Sequence, residues 1–282
     1  MKRLAFAALA LVVGVVALTS ARADEIWQTL PPEPPMPKAD ASGHAPVNDI
    51  SMYYAIYGQG DPLIVLHGGL AHSDVWGNQL PELAKHFRVI VADSRGHGRS
   101  TRSAQPYSYG LMASDVIALM DYLKIDKAAL LGWSDGGIIG LDIAMNHPER
   151  LTKLFAFGAN YNPAGLKDIS SSATFNAYIE RCGQDYARLS PTPKEYDAFV
   201  QQISQMWATQ PDYKPEQLAK ITVPTMIADG EHDEGIKREH TEELAKLIPG
   251  AKLNILPGVS HFAFWQKPEL FNQSVLDFLL AK

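Results

Sequence analysis

Of its 282 residues the chain has a single cysteine, Cys182, so no disulfide can form within it and stability must come from a packed core. Basic charge is also in short supply. Twenty-five lysines and arginines face 31 aspartates and glutamates, a formal net charge of -6, which suits neither nucleic acid nor an anionic membrane surface. No stretch is both long and apolar enough to be read as a membrane span: the run Leu4 to Leu18 has fifteen residues, short of the ~20 a spanning helix needs. Met1-Lys2-Arg3 before that run and Ala21-Arg22-Ala23 after it complete the pattern of an export signal, with cleavage expected after Ala23. Losing residues 1–23 removes Lys2, Arg3 and Arg22 and moves the formal charge from -6 to -9. The mature chain is then expected in the periplasm or medium, free of the membrane. About 260 residues remain, enough for one large domain with a well-buried interior.

Between Asp24 and Asn48 the sequence is rich in proline, with five prolines among the seven residues Pro31 to Pro37. The absence of an apolar period predicts an extended tether over 24–48, although Ile26, Trp27 and Leu30 offer an arm that could pack in a groove. From Asp49 onward short apolar runs alternate with helical patterns. The runs are Ile50 to Tyr57, Leu63 to Leu66, Arg88 to Ala92, Ala128 to Trp133, Leu154 to Gly158, Thr225 to Ala228 and Lys252 to Leu256. Such alternation predicts a mostly parallel, doubly wound sheet with helices on both faces over 49–282. The two N-terminal runs adjoin without an intervening helix and allow an antiparallel member. The stretch 161–220 breaks the rhythm with a helical, aromatic-rich insertion, read as a cap over the strand ends.

Gly132-Trp133-Ser134-Asp135-Gly136 fits Gly-x-Ser-x-Gly between a strand run and a helical run. A serine held on a strained strand-to-helix turn needs small neighbours and presents its hydroxyl above the sheet end. Serine is a weak nucleophile and requires a base, with an acid to fix the base's tautomer. In the order nucleophile, acid, histidine, the base is His261, in the loop after the last strand run. His147 falls too early, His232 is too close to the candidate acids, and His240 sits in a helical pattern that predicts a solvated side chain. Asp229, Glu231, Asp233 and Glu234 crowd the segment after Thr225 to Ala228. Asp233 is the expected orienting acid, because Gly230 permits a turn back towards His261, with Asp229 and Glu231 its rivals. Acyl transfer also needs fixed donors for the developing oxyanion. The expected donors are the N–H groups of Asp135 and of Gly69, in His67-Gly68-Gly69-Leu70 after an upstream strand run, with Leu70 as the alternative to Gly69. Trp133, Leu70 and the Asp135 side chain are expected to touch substrate. Asp135 could favour an ammonium group beside the acyl carbonyl, or could simply stabilise a helix start. His67 reads as a loop brace, and Asp93-Ser94-Arg95-Gly96-His97-Gly98-Arg99-Ser100 as an architectural turn. No zinc-ligand spacing is present, so no metal is expected.

Together these residues resemble the α/β-hydrolase superfamily over about Asp49 to Lys282. Gly132-Trp133-Ser134-Asp135-Gly136-Gly137, with Phe157-Gly158-Ala159-Asn160 after the next strand, is similar to the biphenyl-hydrolase-like or valacyclovir-hydrolase branch. The resemblance implies an α/β-hydrolase fold and a cofactor-independent, carboxylesterase-like serine hydrolase acting on a small-molecule ester, lactone or amide. The exported N-terminus and the cap depart from that branch. Carbon-carbon bond hydrolysis or peracid formation on the same triad, and a non-catalytic binding protein of the same fold, are the alternatives.

Overall fold

A computed structural model describes residues 25–281; the expected export signal, 1–23, lies outside them. The apolar runs become strands β2 (Ile50–Tyr57), β3 (Asp61–Leu66), β4 (Phe87–Ala92), β5 (Ala128–Trp133), β6 (Leu151–Phe157), β7 (Thr225–Gly230) and β8 (Lys252–Leu256), joined by β1 (Ala41–Val47). They form one sheet in the order β1-β2-β4-β3-β5-β6-β7-β8. β1 pairs antiparallel with β2, and β2 antiparallel with β4, while the remaining neighbours are parallel. β5, with the sequence Ala-Ala-Leu-Leu-Gly-Trp, is buried at every position, as a central parallel strand covered on both faces should be.

The helices are α1 (Leu80–Leu83), α2 (Tyr109–Tyr122), α3 (Asp135–Asn146), α4 (Ala173–Leu189), α5 (Tyr196–Trp207), α6 (Pro215–Leu218), α7 (Arg238–Leu247), α8 (Ala263–Gln266) and α9 (Pro268–Leu279). α2 and α3 pack on each other, with α3 against β3, β5 and β6, while α1 and α9 meet over β4 and β6. From β3 the chain steps to β4 on one side and later returns to β5 on the other. This reversal makes the gap between the carboxyl ends of β3 and β5 the topological switch point, where open parallel sheets bind ligands. The Gly68-Gly69 loop and the Ser134 turn leave the sheet side by side at this point.

The insertion between β6 and β7 carries α4, α5 and α6, within the range expected for a cap. α4 begins at Ser172, whose hydroxyl accepts from the Phe175 N–H at 3.2 Å. It buries Phe175, Tyr178, Cys182 and Tyr186, a spacing of three and four residues that puts them on one face. α5 buries Phe199, Ile203 and Met206; Phe199 stacks on Tyr186 with centroids 5.2 Å apart. Full burial of each such side chain stabilises by ~1.5 to 3 kcal/mol, so the two helices hold one another as well as the domain.

The expected tether is corrected. Residues 41–47 are a sheet strand, and the segment before them is bound to the domain. Arg181 donates to the Pro31 carbonyl at 2.8 Å, and the Gln266 amide donates to the carbonyls of Trp27 and Thr29 at 3.2 and 2.9 Å. The Trp27 ring stacks on His232 at 4.5 Å. Proline-rich chain has little conformational entropy to lose on docking, which lets a segment without apolar periodicity become an ordered arm.

Candidate active site

β5 ends at Trp133, and Ser134 turns the chain into α3 with φ 53° and ψ -118°, a conformation that costs a non-glycine residue ~1 to 3 kcal/mol. The turn leaves no room for side chains on either side. A Cβ on Gly132 would lie 2.2 Å from the Gly136 carbonyl oxygen, and one on Gly136 would lie 2.4 Å from that of Leu66. The glycines of the motif are therefore set by backbone packing between the elbow and β3.

His261 lies in the loop between β8 and α8, and its Nδ1 is 2.6 Å from Asp233 Oδ2. Asp233 Oδ1 accepts from the N–H groups of Gly235 and Ile236, both at 2.7 Å, so the carboxylate is held at both oxygens. Asp233 is thereby selected over its rivals: Asp229 binds the Thr241 hydroxyl and the Gly230 N–H, and Glu231 caps Gly258 on the exposed side. Burial disfavours ionisation of Asp233, yet the His261 charge and hydrogen bond and the Ile236 N–H hold its carboxyl below the ordinary range. Buried beside it, Asp229 is pushed well above that range, by desolvation first and by Asp233 second. For His261, burial works against the imidazolium, but Asp233 outweighs it and raises the pKa above the usual histidine value. The bond to Asp233 fixes the proton of neutral His261 on Nδ1 and leaves Nε2 as the acceptor.

Ser134 and His261 line one cavity of about 230 Å³, together with Gly69, Leu70, Trp133 and Asp135. All the sequence-expected site residues other than Asp233, which sits behind His261, reach this cavity. Its wall is otherwise mostly apolar, formed from the cap by Ile169, Phe175, Tyr178, Ile179 and Trp207. Trp133 is 1 % exposed; its ring packs on Phe264 at 4.5 Å and on His261 at 5.6 Å. Gly158 is required where β6 ends, because a Cβ there would lie 2.7 Å from the imidazole Cε1. Among the described residues, the Gly69 and Asp135 N–H groups have no protein acceptor. That is the arrangement an oxyanion site needs.

The Asp135 carboxylate is more heavily engaged than its sequence position suggests. Oδ1 accepts from Tyr109 Oη at 2.7 Å, and the Trp207 indole N–H reaches Oδ1 and Oδ2 at 3.1 and 3.0 Å. Burial raises its pKa to about 6 despite these donors. Tyr109 and Trp207 come from α2 and α5, and no local motif announces them. His67 does brace its loop: its Nε2 accepts from the Ser94 N–H at 3.0 Å, so Nδ1 donates to the Gly68 carbonyl at 2.7 Å. In the Asp93 to Ser100 turn, Asp93 accepts from the N–H groups of Ser73 and Arg99, and Arg95 pairs with Asp115. The expectation of a solvated His240 is overturned. The residue is 5 % exposed, its ring stacks on Tyr161 at 4.1 Å, and its Nε2 accepts from the Tyr161 N–H at 3.1 Å. Burial lowers its pKa to about 4, against the pull of the nearby Glu243 carboxylate.

The sheet order, the elbow and the cap insertion define an α/β hydrolase, and the chain belongs to the α/β-hydrolase fold family, whose sequence profile matches residues 61–178. Human serine hydrolase BPHL is 29 % identical over 256 residues, 84 % of this chain and 86 % of that protein. The 2-hydroxy-6-oxo-6-phenylhexa-2,4-dienoate hydrolase of Burkholderia cepacia is 28 % identical over 256 residues, 79 % of this chain and 88 % of that protein. Both relatives fall where the sequence resemblance to the biphenyl-hydrolase-like branch puts this chain. Among solved structures, Est816, described as an N-acyl homoserine lactone degrading enzyme, superposes with a TM-score of 0.67 at 28 % identity, covering 83 % of this chain and 99 % of its own.

Proposed function

We propose that the protein is an exported, cofactor-independent serine hydrolase that cleaves a small carboxylic ester or lactone through an acyl-enzyme on Ser134. The observation that carries this reading is the 2.6 Å Asp233–His261 pair set against the same cavity as a serine with φ 53°. His261 Nε2 takes the Ser134 proton as the hydroxyl attacks the carbonyl, and Asp233 stabilises the imidazolium that forms. The N–H groups of Gly69 and Asp135 receive the developing oxyanion. The imidazolium then protonates the leaving alcohol, and a water activated by His261 releases the acid. The cavity, about 230 Å³ and mostly apolar, favours a compact apolar acyl or alkoxy group. The buried Asp135 carboxylate supports a preference for an ammonium group beside the carbonyl. Export rests on the pattern in residues 1–23.

The relation to a phenylhexadienoate hydrolase favours a second reading, hydrolysis of a carbon-carbon bond beside a ketone on the same residues. The two are separated by assaying the mature protein on p-nitrophenyl esters, lactones, aminoacyl esters with their isosteric des-amino counterparts, and a vinylogous diketone. Ester or lactone turnover that disappears in Ser134→Ala is the expected result. Turnover confined to the diketone would replace the first reading by the second.

A further inference from the structure

The cap touches the catalytic end of the sheet at more than the substrate wall. Residues 68–71 form a turn closed by the Ala71 N–H on the Gly68 carbonyl at 3.3 Å. Leu70 occupies its third position with φ 64°, a geometry that favours glycine there. A leucine at this place leans towards the alternative turn, in which the Gly69–Leu70 peptide is flipped and Leu70 recovers a negative φ. Something outside the turn must hold the peptide as it is. The Tyr178 hydroxyl of α4 donates to the Gly69 carbonyl at 2.5 Å. Its ring is fixed among Trp133, Phe175 and Phe262, with centroids 5.7, 6.3 and 5.1 Å away. Burial above all keeps the hydroxyl protonated far beyond neutral pH, so it remains a donor.

The second cap helix grips the same place from the other side. A Cβ on Gly69 would lie 2.2 Å from Trp207 Cζ2 and 2.8 Å from Asp135 Oδ2; the loop is pressed between the α5 indole and the elbow. Trp207 also holds the Asp135 carboxylate through its indole N–H. Each residue that supplies an oxyanion donor is thus tied to a cap helix, Gly69 to α4 and Asp135 to α5.

Resting on the serine-hydrolase reading above, we propose that Tyr178 and Trp207 are positioning residues through which the docked cap assembles the oxyanion hole. The cap is then a part of transition-state stabilisation, beyond its role as a wall for substrate. Loss of the Tyr178 hydroxyl releases the Gly69 carbonyl and frees the Gly69–Leu70 peptide to flip, so Gly69, whose own N–H lies in the preceding peptide, loses its anchor to the cap and with it the fixed place of the oxyanion donor.

The test is Tyr178→Phe, which keeps the ring and its packing, with Trp207→Phe as the second variant. Tyr178→Phe should lower kcat by about ten- to a hundredfold, somewhat less than deletion of an oxyanion donor, with KM within about threefold. Affinity for a substrate-like trifluoromethyl ketone, whose hemiketal places an oxyanion in the hole, should fall in step with kcat; affinity for the corresponding secondary alcohol should not. Adding Leu70→Gly, which removes the bias against φ 64°, should restore part of the lost kcat. Equal losses for ketone and alcohol, an unchanged kcat in both variants, or no rescue by Leu70→Gly would overturn the proposal while leaving the triad intact. A wild-type protein without Ser134-dependent turnover would overturn both.

Discussion

In the proposed mechanism His261 must be neutral to take the Ser134 proton, so the pH dependence of turnover reports its surroundings directly. Asp233 raises its pKa against the opposing effect of burial. Lowering the pH protonates the ring and removes the base, so kcat/KM should rise with pH through one ionisation centred above the ordinary ~6.5. A profile from pH 5 to 9 that is flat, or centred well below 6.5, would contradict the assignment. The neighbouring acids separate more sharply still. Asp233 carries the charge that faces His261, whereas burial and the Asp233 charge push the Asp229 carboxyl upward, towards the neutral form that an amide resembles. Asp233→Asn should therefore lower kcat by on the order of 10⁴, while Asp229→Asn should stay within about tenfold of wild type, since it leaves the orienting charge in place. Comparable losses in steady-state kinetics of the two variants would return Asp229 to the catalytic role. The strained turn at Ser134 and the Asp233–His261 pair were legible in the sequence because the turn is a local motif and its expected partners follow in chain order. Among four crowded acids Gly230 favoured Asp233 by permitting the return of the chain, and the 2.6 Å contact with His261 sets it apart from Asp229 and Glu231. His240 was not legible, because its ring is claimed by Tyr161, 79 residues away, and helical periodicity carries no sign of that.

At the scale of elements, the N-terminal arm is where pattern and structure diverge. β1 reads Ala-Ser-Gly-His-Ala-Pro-Val and buries only Ala45 and Val47, too few apolar positions to register as a strand; pairing with β2 makes it one. The segment before it meets α4 and the loop after β3 together. Glu33 and Asp185 approach His72 Nε2 at 3.3 and 3.4 Å, while His72 Nδ1 accepts from the Asp74 N–H, leaving Nε2 to face both carboxylates. Removing residues up to 36 should therefore loosen the cap as well as the arm. Thermal unfolding of a chain beginning at Pro37 should show a melting temperature lower by several degrees than one beginning at Asp24, consistent with the loss of ~1 to 3 kcal/mol. Hydrogen exchange should place the loss of protection in α4. An unchanged melting temperature would mean that the arm is passive. Strand β5 matched its apolar run to the residue because a parallel strand buried at every position leaves continuous apolar sequence. The cap was legible only as a break in rhythm, since its helices are positioned by contacts with distant segments.

For the whole molecule, the elbow conformation and the buried carboxylates concentrate unfavourable terms at one end of the sheet. Asp135 is the clearest case. Its folded pKa is about 6 against an ordinary 3.8, so the folded protein binds this proton more readily than the unfolded chain. The stability present below pH 3.8 therefore declines as pH rises towards about 6 and is level above it. Asp135→Asn removes that decline. Denaturant unfolding should show the variant more stable by ~1 to 3 kcal/mol at pH 7.5, with a smaller difference at pH 4. A variant less stable than wild type at pH 7.5 would show that the hydrogen bonds from Tyr109 and Trp207 outweigh the desolvation of the charge. The central claim, that this fold directs its chemistry through Ser134, is tested most directly by intact-mass and peptide mass spectrometry after exposure of the mature protein to a fluorophosphonate. One phosphonyl group on the Ser134 peptide, absent in Ser134→Ala and strongly slowed in His261→Ala, is the predicted result. An unmodified wild-type protein, or a label that persists in Ser134→Ala, would contradict the account.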